Sequence, residues 1–392
     1  MTEWIECTLD KLGEIVGGAT PSTKCEDYYG GSIPWITPKD LSSFKGRYIT
    51  SGERNITEKG LASCSAQMMP KDAVLFTSRA PIGYVAIASQ SVCTNQGFKS
   101  IVVNDKADPL FVYYLLKYNK DAIEAMGSGT TFKEVSGKTM RAVKVRIPLD
   151  VSYQKRIAAV LDSLDTKIEN NERINDNLYE MVNAYYTSLF KENDCEMTTV
   201  GNYAERIYSG GTPMTSNAAY WNGTFGWFSS GETRNRFVIS TEKTITQSGI
   251  DNSSTKLATK YDIVMASAGQ GFTRGQTSML LIDTYVNQSV IVIKSERNIL
   301  PYLFWNLANR YDELRAISDS SSIRGSLTTK MIAAFEIPLA NEQSLQAFAD
   351  FAWSVIPQIE NNLLENERLT ALRDSLLPKL MSGEIDVSDI QL

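Results

Sequence analysis

Histidine is absent from all 392 residues. That absence excludes Ser-His-Asp and Cys-His nucleophiles, His-ligated zinc and imidazole proton shuttles. Cysteine is scarce and scattered: Cys7, Cys25, Cys64, Cys93 and Cys195 form no C-x-x-C pair. Isolated thiols in odd number fit reduced, structural cysteines in a cytoplasmic protein. No Pro-Pro occurs, so the Asn/Asp-Pro-Pro-aromatic motif of a DNA adenine methyltransferase is missing. The G-x-x-x-x-G-K-[ST] loop of a nucleotide-driven motor is missing as well. Long apolar runs are lacking: Val290 to Ile293 is far too short to span a bilayer. The opening Met1 to Glu6 is acidic where a signal peptide is basic. The expectation is a soluble, cytoplasmic protein without a membrane partner.

What is present is ordinary in bulk, with 43% hydrophobic and 21% charged residues, enough for substantial cores. The decisive feature is a long-period repeat. Thr20-Pro21 recurs as Thr212-Pro213, each after paired glycines, Gly17-Gly18 and Gly210-Gly211. At the same offset Tyr28 matches Tyr220, Gly31 matches Gly223, Trp35 matches Trp227, Asn95-Gln96 matches Asn287-Gln288 and Pro109 matches Pro301. The register drifts slightly to align Ile147-Pro-Leu149 with Ile337-Pro-Leu339, and Ile168-Glu-Asn-Asn171 with Ile359-Glu-Asn-Asn362. An ordered series of this length makes the chain two copies of one unit.

Each copy has two textures. Residues 1–150 and 196–340 carry short apolar runs between Gly, Pro, Ser and Thr, the pattern of sheet with many loops. A helical stretch follows each Asn-Gln pair. Residues 151–195 and 341–392 are nearly free of glycine, with apolar residues at three- and four-residue steps. The first seam reads Ile157, Leu161, Leu164, Ile168, Asn171, Asn175, Leu178, Val182, Tyr185, Leu189. The second reads Phe348, Ala352, Val355, Ile359, Asn362, Asn366, Leu369, Arg373, Leu376, Leu380. Asn171, Asn175, Asn362 and Asn366 thus occupy matching positions. Amides on an apolar seam fix helix register because a slip leaves them unpaired; facing solvent is the alternative. Pro357 falls inside the second helix, where a kink is expected.

The fold class is therefore α+β: two similar mixed α/β domains, 1–150 and 196–340, joined by two long antiparallel coiled-coil helices, 151–195 and 341–392, in a pseudo-two-fold internal repeat. Forty helical residues measure roughly 60 Å, so two similar heads held apart suit a long periodic ligand such as duplex DNA, with half-sites roughly 34 Å apart.

The openings Gly17-Gly-Ala-Thr-Pro-Ser22 and Ser209-Gly-Gly-Thr-Pro213 carry a family resemblance. So do residues 74–83 with Arg79-Ala-Pro81, Gln154-Lys-Arg-Ile157, and the ending 376–385 with its Leu-Leu-Pro-Lys-Leu start. In this ordered set, twice over, the chain resembles the specificity (S) subunit of type I restriction–modification systems, the HsdS family. The resemblance implies two target-recognition domains, each reading half of a bipartite double-stranded DNA site. It also implies helices that space them and dock two methyltransferase (M) subunits, with restriction (R) subunits joining. It implies no catalysis and no cofactor on this chain; S-adenosylmethionine, ATP and Mg²⁺ belong to the partners.

Framework shared by both copies should be structural, and loops that differ should read bases. Trp35, Trp227 and the Thr-Pro turns fall in the first class. The reading candidates in the first domain are Lys39 and Arg47 on one loop and Ser78 and Arg79 on another; in the second they are Arg234, Arg236, Gln270 and Arg274. Lys133 closes a Gly-Ser-rich loop, matched by the loop ending at Arg324, and both have the make-up of phosphate-contacting loops. Arginine pairs bidentately with guanine and also neutralises phosphate. Asn95-Gln96 and Asn287-Gln288 either pair with adenine or brace a loop, and sequence leaves both open.

Two other function classes remain. A two-headed protein-binding scaffold without DNA contact has the same architecture. A nuclease set is mimicked by Asp162 and Asp165-Thr-Lys167, on a helix where acids are ordinary surface residues. The net charge of −6 resolves by segment. Domains 1–150 and 196–340 are +2 and +1, whereas 151–195 and 341–392 are −3 and −6. Heads this nearly neutral bring specificity to DNA and need partners for affinity.

Overall fold

The computed structural model describes residues 3–129, 133–190, 196–269, 272–320 and 325–390. The chain divides into two units: Met1–Asn170 with Glu367–Leu392, and Asn171–Asn366. In the first, a five-stranded sheet runs in the order Gly13–Gly17, Lys99–Val103, Val74–Ser78, Ile82–Ala88, Tyr48–Ile49. Beside it lies a three-stranded sheet, Arg54–Ile56, Tyr29–Ile36, Cys93–Thr94. The second unit repeats the plan. Its five strands are Ala204–Ser209, Val290–Ser295, Ile263–Ala266, Thr277–Leu280 and Phe237–Val238. Its second sheet holds Lys243–Ile245, Trp221–Phe228, Thr284–Val286 and Lys256–Ala258.

The repeated residues explain themselves locally. A Cβ on Gly18 would lie 2.1 Å from the Asn95 carbonyl, and one on Gly210 1.9 Å from that of Val286, so only glycine lets these strands meet. Ala19 then donates its backbone N–H to Thr94, and Gly211 to Val286. The indoles of Trp35 and Trp227 are buried and donate to the carbonyls of Ala19 (3.0 Å) and Gly211 (3.2 Å), pinning the same turn. The helix Pro109–Tyr118 starts where Asp108 caps the N–H of Phe111 and proline fills the first turn.

Two long helices, Val151–Leu189 and Glu342–Ser382, complete both cores. In the first unit, Tyr153, Ile157, Ala158 and Leu161 join Leu380, Met381 and Val387 against the domain's helix and sheet. In the second, Tyr179, Val182, Tyr186 and Phe190 join Phe348, Ala352, Val355, Ile356 and Ile359. Each unit thus uses one half of each helix, and within each the helices run antiparallel. Tyr153 meets Asp386 and Asp165 meets Arg373; Asn171 meets Asn366 and Asn175 meets Asn362. Pro357 lies within the second helix on its exposed face, where water can satisfy the Trp353 carbonyl that proline leaves without a donor.

Candidate nucleic-acid interface

Several of the loop residues singled out by sequence converge on one cleft of the first unit. It measures about 480 Å³ and is lined by Thr37, Pro38, Lys39, Arg79, Ala80, Asn95, Gly97, Lys133 and Glu134. Its wall is set by the helix Pro38–Ser42. Thr37 and Asp40 form a capping box, with Asp40 Oδ2 accepting from the Thr37 N–H (2.7 Å) and hydroxyl (2.6 Å). Asp40 Oδ1 also accepts from the Glu53 N–H at 2.7 Å, tying the next loop down. In the second unit Ser229 and Glu232 repeat this box, and Glu232 Oε2 takes the Glu242 N–H at 2.9 Å. Three cations, Lys39, Arg79 and Lys133, face one acid, Glu134, whose carboxylate lies 3.6 Å from Arg79. Glu134 was not singled out by sequence; it follows Lys133 directly and tempers the positive cleft. Lys39 pairs with Glu53 at 2.6 Å, and this hydrogen-bonded partner raises the lysine's pKa.

The Asn-Gln pairs brace their loops. Asn95 Oδ1 accepts from the Gly97 N–H (2.8 Å) and Asn287 Oδ1 from that of Ser289 (2.9 Å). Gln96 accepts from the Thr20 hydroxyl and Gln288 from that of Thr212, so amide and Thr-Pro turn are tied in both copies. Both glutamines remain exposed beyond that tie.

Three candidates lie inward, a correction to the sequence reading: Asn287, 8% exposed, joins Ser78 and Arg47. Ser78 is fully buried, its N–H and hydroxyl both donating to the Gly97 carbonyl. Arg47 is 6% exposed, and its guanidinium grips the first long helix. It donates to Thr166 Oγ1 at 2.8 Å, to both carboxylate oxygens of Glu169 at 3.0 Å, and to Asp162. These carboxylates hold the Arg47 pKa above its ordinary value against the cost of burial. The acids themselves were misread as plain surface. Asp165 is 5% exposed, accepting from Tyr114 (2.8 Å) and Arg373 (2.7 Å), and burial beside it pushes the Tyr114 hydroxyl pKa up.

In the second unit Arg234 pairs with Glu242 and the Gly231 carbonyl and stays exposed. Arg236 is the positional counterpart of Arg47, since each precedes the short outer strand and its carbonyl accepts from the adjacent one. It is half exposed, stacked 4.3 Å over Tyr179 and 3.4 Å from Asp176. Arg274 is held by Asp319 at 2.6 Å and by the Gly325 carbonyl. Gln270 and Arg324 lie outside the described residues. Among the described residues, no cluster of His, Cys, Asp and Glu is suited to a metal ion. Nor is any helix long and apolar enough to cross a membrane.

Two domains of one design, each presenting loop-built polar surface and each finished by halves of two long helices, define an internally duplicated fold. The family model of the type I restriction modification DNA specificity domain matches residues 1–180 and 194–367. The chain is 30% identical to the type I restriction enzyme MjaIX specificity subunit of Methanocaldococcus jannaschii, covering 99% of this chain and 95% of that protein. It is 29% identical to the EcoR124I/EcoR124II specificity subunit of Escherichia coli over 41% of this chain and 40% of that one. The crystal structure of the type I S subunit from M. genitalium superposes with a TM-score of 0.62, covering 97% of this chain and 96% of that one, at 17% identity. The chain belongs to the family of type I restriction–modification DNA specificity subunits.

Proposed function

We propose that this chain is the non-catalytic DNA-reading subunit of a type I restriction–modification complex, with each domain reading one half of a bipartite site. The observation that carries the reading is the convergence of Lys39, Arg79, Asn95 and Lys133 on one cleft of a fold that occurs twice. Gln96 stands exposed beside Asn95, and Arg234, Arg274 and Gln288 offer similar chemistry in the second domain. Arg47 and Ser78 serve the scaffold instead. Asn171, Asn175, Asn362 and Asn366 set helix register, and through it the spacing between half-sites.

Exposed apolar side chains also repeat: Leu149 with Leu339, and Met181 with Leu372. A surface displayed twice fits two copies of one partner, which here are the methyltransferase subunits, with restriction subunits joining that core. Methyl transfer with S-adenosylmethionine and cleavage with ATP and Mg²⁺ then belong to those partners, in the cytoplasm. The test is the salt dependence of duplex binding by the complex. Each of Lys39, Arg79 and Lys133 that contacts phosphate lowers the slope of log K against log salt by about 0.9 when replaced by alanine. A triple variant with unchanged affinity, slope and sequence preference would remove the cleft from the interface.

A further inference from the structure

The repeat makes a comparison possible inside one molecule, because every helix position of one unit has a counterpart in the other. Most of the seam is equivalent. The asparagines pair as 171 with 366 and 175 with 362, and these are the same two repeat positions met twice. The Asn–Asn contacts can form whether a half of the chain faces the other half or a second copy of itself, so they set register and are silent on partner identity; the added bond from Asn171 to Glu365 has no counterpart, since Ile174 stands at the matching position.

Two further sites are not equivalent. In the first unit Asp165, buried on the first helix, is neutralised by Arg373 of the second helix and hydrogen-bonded by Tyr114. The counterparts in the second unit are Ile356, Val182 and Asn306, all fully buried, with Ile356 and Val182 in one apolar cluster. There Asn306 donates to the Tyr186 hydroxyl at 2.8 Å. The counterpart of Tyr186 is Leu377, packed on the first unit's core. At both sites the polar contact joins the two halves: Asp165 of the first half with Arg373 of the second, and Asn306 of the second half with Tyr186 of the first.

Pairing like with like breaks both. Two first halves would set Val182 against Asp165, leaving a buried carboxylate without its cation. Two second halves would set Arg373 against Ile356 and Leu377 against Asn306. Removing one partner of a buried ion pair costs far more than the intact pair contributes, so these contacts act mainly against the wrong partner. We propose that the paired long helices form a heterotypic interface, so that residues 1–190 accept residues 196–392 and reject a second copy of themselves. On the function proposed above, this keeps two different recognition domains in one subunit and so makes the target asymmetric; the pairing rule itself does not depend on DNA.

The covalent link masks this preference by raising the effective concentration of the correct partner. The test therefore uses the full chain with a protease site between Phe190 and Glu196, cleaved after folding. Unlabelled and ¹⁵N-labelled cleaved proteins are mixed, and native mass spectrometry follows exchange of halves. The expected result is exchange between first–second pairs only, with like pairs below about one in ten. The double variant Asp165→Ile/Arg373→Val removes the ionic site while keeping both seams apolar, and should raise first–first pairs several-fold, toward the statistical proportion. The variant Asp165→Asn/Arg373→Gln keeps side-chain shape and should raise them less. Like pairs in statistical proportion in the unaltered protein, or a distribution that the double variant leaves unchanged, would overturn the proposal.

Discussion

Replacing the central seam asparagines with leucine tests the helix pair where its chemistry is best defined. Asn171 is 1% exposed and donates to Glu365 Oε2 at 2.7 Å and to Asn366 Oδ1 at 2.9 Å. Asn171→Leu removes one hydrogen bond to a charged acceptor, worth about 1.5–3 kcal/mol, and one neutral bond, worth about 0.5–1.5 kcal/mol. Burying leucine returns about 1.5–3 kcal/mol, leaving a net loss of about 1 kcal/mol. Asn366→Leu alone removes one of the two acceptors of the same amide, leaving Glu365. Together the two leucines face each other, so the double variant should be at least as stable as the parent. The coupling should then be about 1–2 kcal/mol, within the range of contacting residues. Urea denaturation of the four proteins, compared at constant m, gives the cycle. A stabilising Asn171→Leu, or additive single effects within about 0.3 kcal/mol, would refute the pairing argument.

Other consequences follow from the same contacts. Arg47→Met strands Asp162 and Glu169, each about one-third exposed. Because water can reach both acids, the loss should be about 2–3 kcal/mol, below the full cost of a buried orphan charge. It should appear as a lower urea midpoint with sequence preference retained; altered base preference at unchanged stability would return Arg47 to the reading surface. Asp386 accepts hydrogen bonds from Ser388 and Tyr153, which lower its pKa to about 2. Its contribution is full above the unfolded value of about 3.9 and is lost as pH falls through about 2. The stability gap between parent and Asp386→Asn should therefore shrink between about pH 4 and pH 2; a constant gap would contradict the assignment.

The architecture was legible because its evidence is local or periodic. The twin Gly-Gly turns mark close backbone approach at Gly18 and Gly210, and the seams mark helices at one face. What was missed depends on partners far along the chain. Arg47 sits in a loop and Ser78 closes the strand Val74–Ser78, where Ser267 is its counterpart, and only folding brings Glu169 and the Gly97 carbonyl to them. One signal for Asp165 was available: Arg373 stands at a seam position where the first copy has Val182, and a cation there demands a buried anion. The division into units was also hidden, since each core takes half of each helix.

The central claim, that each domain reads its own half-site, is tested most directly by sequencing adenine methylation in a host expressing the chain with its methyltransferase. Residues 1–150 are replaced by the corresponding domain of another specificity subunit, with 151–392 unchanged. The account predicts that one half of the methylated sequence changes while the other half and the spacing stay fixed. A change in both halves, or in neither, would contradict it.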